Sequence, residues 1–166
     1  ICGITNLEDA RAAVDAGADA LGFVFTQLSP RYITPAAARE IIQTLPPFIT
    51  PVGVVVNKKR EEVQDIVAIT GVRCVQFHGD EAAMDMIGYA VPGYKAIRVR
   101  PDFSVNQLER YPTRTFLLDT FSEEMNGGTG RTFNWKIAVE AKRFGRIILS
   151  GGLRSENVVD AVRTVQ

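Results

Sequence analysis

The sequence predicts an α/β protein of the (β/α)₈ barrel class, and three observations carry that expectation. Short apolar, β-rich runs alternate with stretches of helical spacing along the whole chain of 166 residues. The strand runs are continuously apolar instead of alternating, so both faces of each strand are buried, as in a parallel sheet. The first strand-to-helix turn, "CGITNLED", has one glycine where a dinucleotide-binding turn of an open sheet needs three, which favours the barrel over the open doubly wound sheet.

In chain order the strands are a stub at Ile1 and Cys2, then "ALGFVF" (20–25), "TPVGVVV" (50–56), "CVQF" (74–77), "YKAIRV" (94–99), "TFLLD" (115–119) and "RIILS" (146–150). Helical spacing covers 6–16, 34–44, 59–70, 81–89, 104–110, 135–143 and 155–165. Thr5 with Glu8 predicts a capping box, Thr34 before Pro35 puts proline at the first helical position, Ser155 precedes Glu156, and Gly17 fits a left-handed helix end. The reading is of one barrel domain over 1–166, incomplete at both termini. Ile1 is not an initiator Met, and an eighth strand would fall due where the chain reaches Gln166, so strand 8 and helix 8 are expected to lie outside it.

Composition narrows the function. Nineteen Lys and Arg balance nineteen Asp and Glu, and no basic run appears, so the chain lacks the electrostatic footprint of a nucleic-acid binder. Its longest apolar stretches fall far short of the roughly 20 residues of a membrane helix. Two cysteines without a signal-peptide pattern predict a cytoplasmic protein with no disulfide framework. One histidine, with no Cys or His at ligand spacing, predicts no metal.

Barrel enzymes assemble their active sites at the C-terminal ends of the strands. Those ends offer Cys2, the loop from Phe25 to Arg31, Asn57, Gln76 and His78, Arg98 and Arg100, Asp119, and Ser150-Gly151-Gly152. Most free cysteines are small buried hydrophobes. Cys2, at a strand end before Gly3, is instead expected to point towards the mouth, while Cys74 reads as core. Asp119 follows three apolar residues and so must find a partner, face water or be protonated; it either caps the next loop or serves as a general acid. His78 reads equally as a structural or a site residue. Arg31 is either an exposed loop residue or a forked donor for a carboxylate or phosphate. The glycines of "NGGTGRTFNW" (126–135) suit a linker or a loop that closes over substrate, and "LSGGL" (149–153) stands where many barrels bind phosphate through backbone N–H groups.

Taken in order, "ICGIT", "GADALGFVF", "SPRYI", "VGVVVN", "VQFHGDE", "FLLDT", "GGTGRTFNW" and "LSGGL" resemble the phosphoribosylanthranilate isomerases of tryptophan biosynthesis along the whole chain. The resemblance implies a (β/α)₈ barrel and a cofactor-free Amadori rearrangement of a small phosphorylated substrate. It makes Cys2 the general base, Asp119 the general acid and Arg31 the anchor of the anthranilate carboxylate. Gly151 and Gly152 become half of the phosphate site, with Gln76 and His78 beside the substrate. Two departures stand out: the lysine that usually precedes Ile-Cys and the strand-8 part of the phosphate site are both missing from the sequence. Two rival readings remain: another phosphate-binding barrel of tryptophan or histidine synthesis, and a non-catalytic barrel fragment. Association as a homodimer and fusion to a neighbouring pathway enzyme are left open.

Overall fold

A computed structural model describes residues 1–120 and 133–166. Contacts divide the chain into two units, Ile1–Gly93 and Tyr94–Gln166.

In the first unit β1 (Ala20–Val24), β2 (Thr50–Val55) and β3 (Cys74–Phe77) pair in parallel, with Gly22 opposite Val52 and Val54 opposite Gln76. The Ile1–Cys2 stub joins as a single parallel bridge from Cys2 to Gly22, one residue pair of the strand expected there. Helices α1 (Leu7–Asp15), α2 (Pro35–Ile42) and α3 (Arg60–Thr70) follow the stub, β1 and β2. Each buries one stripe at helical spacing: Ala10 and Ala13, Ala38 and Ile41, and Val63, Ile66 and Thr70. Leu21, Phe23, Val55, Val75 and Phe77 fill the interior, and the strands are buried on both faces as their apolar runs require.

Two expected details of this unit change. Asn6, not Thr5, caps α1: its side chain accepts from Asp9 N–H at 2.8 Å, and its amide donates to the Asp9 carboxylate at 2.8 Å. The helix starts one residue later than the Thr5 box needs, which puts Asp9 at the third helical position in place of Glu8. The helix expected over 81–89 shrinks to one 3₁₀ turn, Ala83–Met86. Arg60 of α3 donates to the carbonyls of Met84 and Ile87, acceptors that a continuing α-helix would use itself, and Gly88 turns the chain at φ +82°. The C-cap expected at Gly17 is present as a Schellman motif. Gly17 N–H donates to Val14 and Ala18 N–H to Ala13, with Gly17 at φ +86°.

In the second unit β4 (Gly93–Val99, of which Gly93 belongs to the first unit), β5 (Thr115–Thr120) and β6 (Arg146–Leu149) also pair in parallel, with Arg98 opposite Asp119 and Leu118 opposite Leu149. Val99, Val105, Leu108, Phe116, Leu118, Ala138 and Ala141 form its core. Helix α4 (Lys136–Ala141) precedes β6, and α5 (Val158–Val165) follows it. The helix expected over 104–110 is again 3₁₀, Val105–Arg110. Pro112 ends it, because the residue before a proline avoids the helical region, and Tyr111 is extended at φ −95°, ψ 141°. The cap position expected at Ser155 falls at Asn157 instead; its side chain does not cap the helix but turns back, with Oδ1 accepting from Arg154 N–H at 2.8 Å.

Candidate active site

Cys2 and Arg31 meet at the end of the N-terminal stub, which runs beside Gly22 of β1. Gly22 N–H donates to Ile1 O at 2.8 Å, and Gly22 O accepts from Gly3 and Ile4, which fastens the stub to the strand. A Cβ on Gly22 would lie 2.7 Å from the Cys2 sulfur, so the missing side chain is what leaves the thiol its place. Gly3, at φ +91°, does the same for Arg31: a Cβ there would lie 2.4 Å from Arg31 Cδ. Arg31 Nη1 donates to Cys2 O at 3.2 Å. The arginine loop is itself tied to β1 by Ile33 N–H donating to Val24 O at 3.0 Å. The exposed thiol and the guanidinium therefore share one strand end. Cys74, read from sequence as core, is only half-buried, and that burial pushes its thiol pKa up from the ordinary value.

At the end of β3, Gln76 is buried, and its Nε2 lies 2.7 Å from His78 Nδ1. His78 N–H donates to Val55 O, which carries the pairing with β2 one residue past the strand. Sequence reasoning did not single out the neighbouring carboxylate. Glu81 is 5% exposed, and its oxygens accept from the backbone N–H groups of Asn57 and Gly79. Asn57 is the one non-glycine at positive φ among the described residues. A signal for this existed: an acidic residue three positions past His78, in the run Gly79-Asp80-Glu81 that follows the strand.

In the second unit Asp119 lies on β5 after the buried Phe116, Leu117 and Leu118, and is itself partly buried. Gly151 follows β6 at φ +81°, and a Cβ there would lie 2.6 Å from Asp119 Oδ1 and 2.5 Å from Thr120 N. Gly152, at φ +66°, continues the turn, and its carbonyl accepts from Asn157 Nδ2 at 2.9 Å. The turn that carries the glycine pair thus packs against the Asp119 side chain of β5. The glycine-rich stretch 126–135 falls largely on 121–132, outside the described residues, and the loop-closure reading goes with it. Among the described residues no group of three or more His, Cys, Asp or Glu side chains gathers as metal ligands would.

The model of the N-(5′-phosphoribosyl)anthranilate (PRA) isomerase family matches residues 1–166. An N-(5′-phosphoribosyl)anthranilate isomerase of Pelobacter propionicus is 49% identical over 165 residues, 99% of this chain and 79% of the relative. The crystal structure of the phosphoribosyl anthranilate isomerase of Thermotoga maritima superposes with a TM-score of 0.87 at 41% identity, covering 99% of this chain and 82% of that one. A structure described as mutually generated monomers of the dimeric Thermotoga maritima enzyme matches at 0.80 and 37%, covering 99% and 80%. A further isomerase, in complex with reduced 1-(o-carboxyphenylamino)-1-deoxyribulose 5-phosphate, matches at 0.82 and 38%, covering 99% and 80%. The fold class common to these structures is the (β/α)₈ barrel expected from the alternating elements.

Proposed function

Because the chain belongs to the N-(5′-phosphoribosyl)anthranilate isomerase family, we propose that Cys2 and Asp119 are the base and the acid of its reaction. The activity is isomerisation of N-(5′-phosphoribosyl)anthranilate to the carboxyphenylamino-deoxyribulose phosphate. Asp119 delivers a proton to the ribose ring oxygen as the C1′–O bond breaks, and the anthranilate nitrogen lone pair stabilises the resulting Schiff base. Cys2 as thiolate then takes the proton from C2′. No step needs a cofactor. Arg31 presents a planar fork suited to the anthranilate carboxylate. The backbone N–H groups of Gly151 and Gly152 serve one side of the phosphate, with Gln76 and His78 beside the substrate.

The single observation that carries this reading is the shared strand end of Cys2 and Arg31, kept clear by Gly22 and Gly3. A base next to the anchor of an aromatic carboxylate is what proton removal from the adjoining sugar carbon requires. Turnover of Cys2→Ser and Asp119→Asn in the full encoded protein tests it. Each should fall about 10²- to 10⁴-fold, the usual worth of a positioned acid or base. Near-normal turnover in either removes that residue from the mechanism. Arg31→Lys should act mainly on KM, because a point charge replaces a fork.

We propose further that residues 1–166 belong to one barrel domain that works in the cytoplasm and associates with a second copy. Among the described residues no helix is long and apolar enough to cross a membrane. Phe48, 95% exposed beside Pro47, is the apolar group that a partner copy would cover. The dimeric Thermotoga maritima relative supports this. Light scattering should give twice the monomer mass, and the monomer for Phe48→Asp; a wild-type monomer overturns it.

A further inference from the structure

We propose that Glu81 is a positioning residue for the isomerisation: it ties the ends of β2 and β3 together and so sets the Gln76–His78 pair toward the substrate. The inference rests on the functional reading above and adds a residue to it.

Glu81 stands in a loop after β3, where a carboxylate would ordinarily face water, yet it is 5% exposed. Burial of a carboxylate is offset only by strong donors. Oε1 accepts from Asn57 N–H at 2.8 Å and from Gly79 N–H at 3.1 Å; Oε2 accepts from Gly79 N–H at 2.9 Å. One side chain thus holds the backbone just past β2 and just past β3. The tie is reciprocal, since Asn57 Oδ1 accepts from Asp80 N–H at 2.7 Å. Both partners take on costs to make it. Asn57 adopts φ 49°, a conformation that side chains other than Asn and Asp rarely enter. Gly79 is so close that a Cβ on it would lie 2.2 Å from Asn57 Oδ1.

The residue enclosed by this clamp is His78. Its N–H is bonded to Val55 O, the residue after it is held by Glu81, and its Nδ1 lies 2.7 Å from Gln76 Nε2. With backbone and Nδ1 both held, the ring has one orientation at the C-terminal ends of the strands, the edge that barrel enzymes use for chemistry. Packing alone does not need a buried carboxylate here, because an apolar side chain would fill the space at less desolvation cost.

The test is steady-state kinetics of isomerisation in the full encoded protein, with melting temperatures, for Glu81→Ala, Glu81→Gln and Asn57→Gly. Glu81→Ala should raise KM about tenfold, the scale of losing a charge-assisted hydrogen bond. Glu81→Gln keeps an oxygen at the Oε1 position, which alone reaches both N–H groups, so KM should stay within about threefold of wild type. Asn57→Gly is at ease at positive φ and should keep the melting temperature while raising KM. It also decides the matter if Glu81→Ala does not fold. A residue that only stabilises the fold would lower the melting temperature and the active fraction and leave KM alone; that result, or equal KM in Glu81→Ala and Glu81→Gln, overturns the proposal. Wild-type protein with no isomerase activity removes the functional reading and this inference together, whereas active wild type with KM untouched in all three variants removes the inference alone.

Discussion

At the residue scale the two cysteines show how position decides chemistry. Cys2 is exposed at a strand end, while Cys74 is half-buried with its thiol pKa pushed above the ordinary value by desolvation. The thiolate is the reactive form, so iodoacetamide near pH 8 should label Cys2 first and Cys74 many times more slowly; mass spectrometry of the digest reads the order. Equal labelling would contradict the burial. Gly22 gives a second prediction. Its φ is not in the left-handed region, so alanine suits the backbone, but the new Cβ would lie 2.7 Å from the Cys2 sulfur and 3.2 Å from its Cα. Gly22→Ala should cost about 1–3 kcal/mol in overpacking and, by displacing the thiol, reduce turnover more than an equally destabilising core change elsewhere. Both residues stand in the short motifs read from sequence, yet the contact between them does not, because it is made across a bridge between residues 2 and 22.

At the element scale the helices divide by how their ends are satisfied. Thr34 caps α2 by accepting from Ala37 N–H at 3.3 Å, with Pro35 at the first helical position. Thr34→Ala should lower stability by about 1 kcal/mol, measurable by urea unfolding. Helix α3 carries Glu62 in its first turn, and the Glu62 carboxylate accepts from Lys59 N–H at 3.0 Å and pairs with Lys58 Nζ at 3.0 Å. Those contacts, the backbone one first, hold its pKa below the ordinary 4.5. A carboxyl with a lowered folded pKa contributes stability above its unfolded value and loses that contribution as pH falls through the folded one. The Glu62 carboxyl should therefore titrate by NMR below 4.5, and protection of the first α3 amides should fade only beneath that midpoint. The turns at 83–86 and 105–110 were expected as longer helices. Apolar period does not reveal that Arg60 will take the Met84 and Ile87 carbonyls from 27 or fewer residues away, whereas the stop at Pro112 was there to be read.

At the scale of the whole molecule, charge and exposed apolar surface set behaviour in solution. A formal charge of zero at pH 7 leaves nothing to keep copies apart, and α5 exposes Val158, Val159 and Val162 while β6 exposes Ile148. Solubility of the 166-residue chain should pass through a minimum near neutral pH, and the pair Val159→Glu with Val162→Lys should raise it at unchanged net charge. Turbidity against pH for both chains checks this. A minimum far from neutrality would show that apolar contact, not charge, governs association.

The sequence by itself determined the alternation of strand and helix, the parallel strand pairing, the burial of both faces in β1, β2 and β3 (though not in β6, which the structure leaves partly exposed), and the strand ends where Cys2, Arg31, Gln76, His78, Asp119 and Gly151 lie. These follow from local period and turn chemistry, which are properties of neighbouring residues. The ordered motifs added the family. Only the tertiary structure decided that Gly22 and Gly3 clear the space for a thiol and a guanidinium, that Gly151 lies against Asp119, and that Glu81 reaches back to Asn57. Each of these depends on atoms brought together from 20 to 32 positions apart, and the pattern of a single segment carries no record of what will be packed against it.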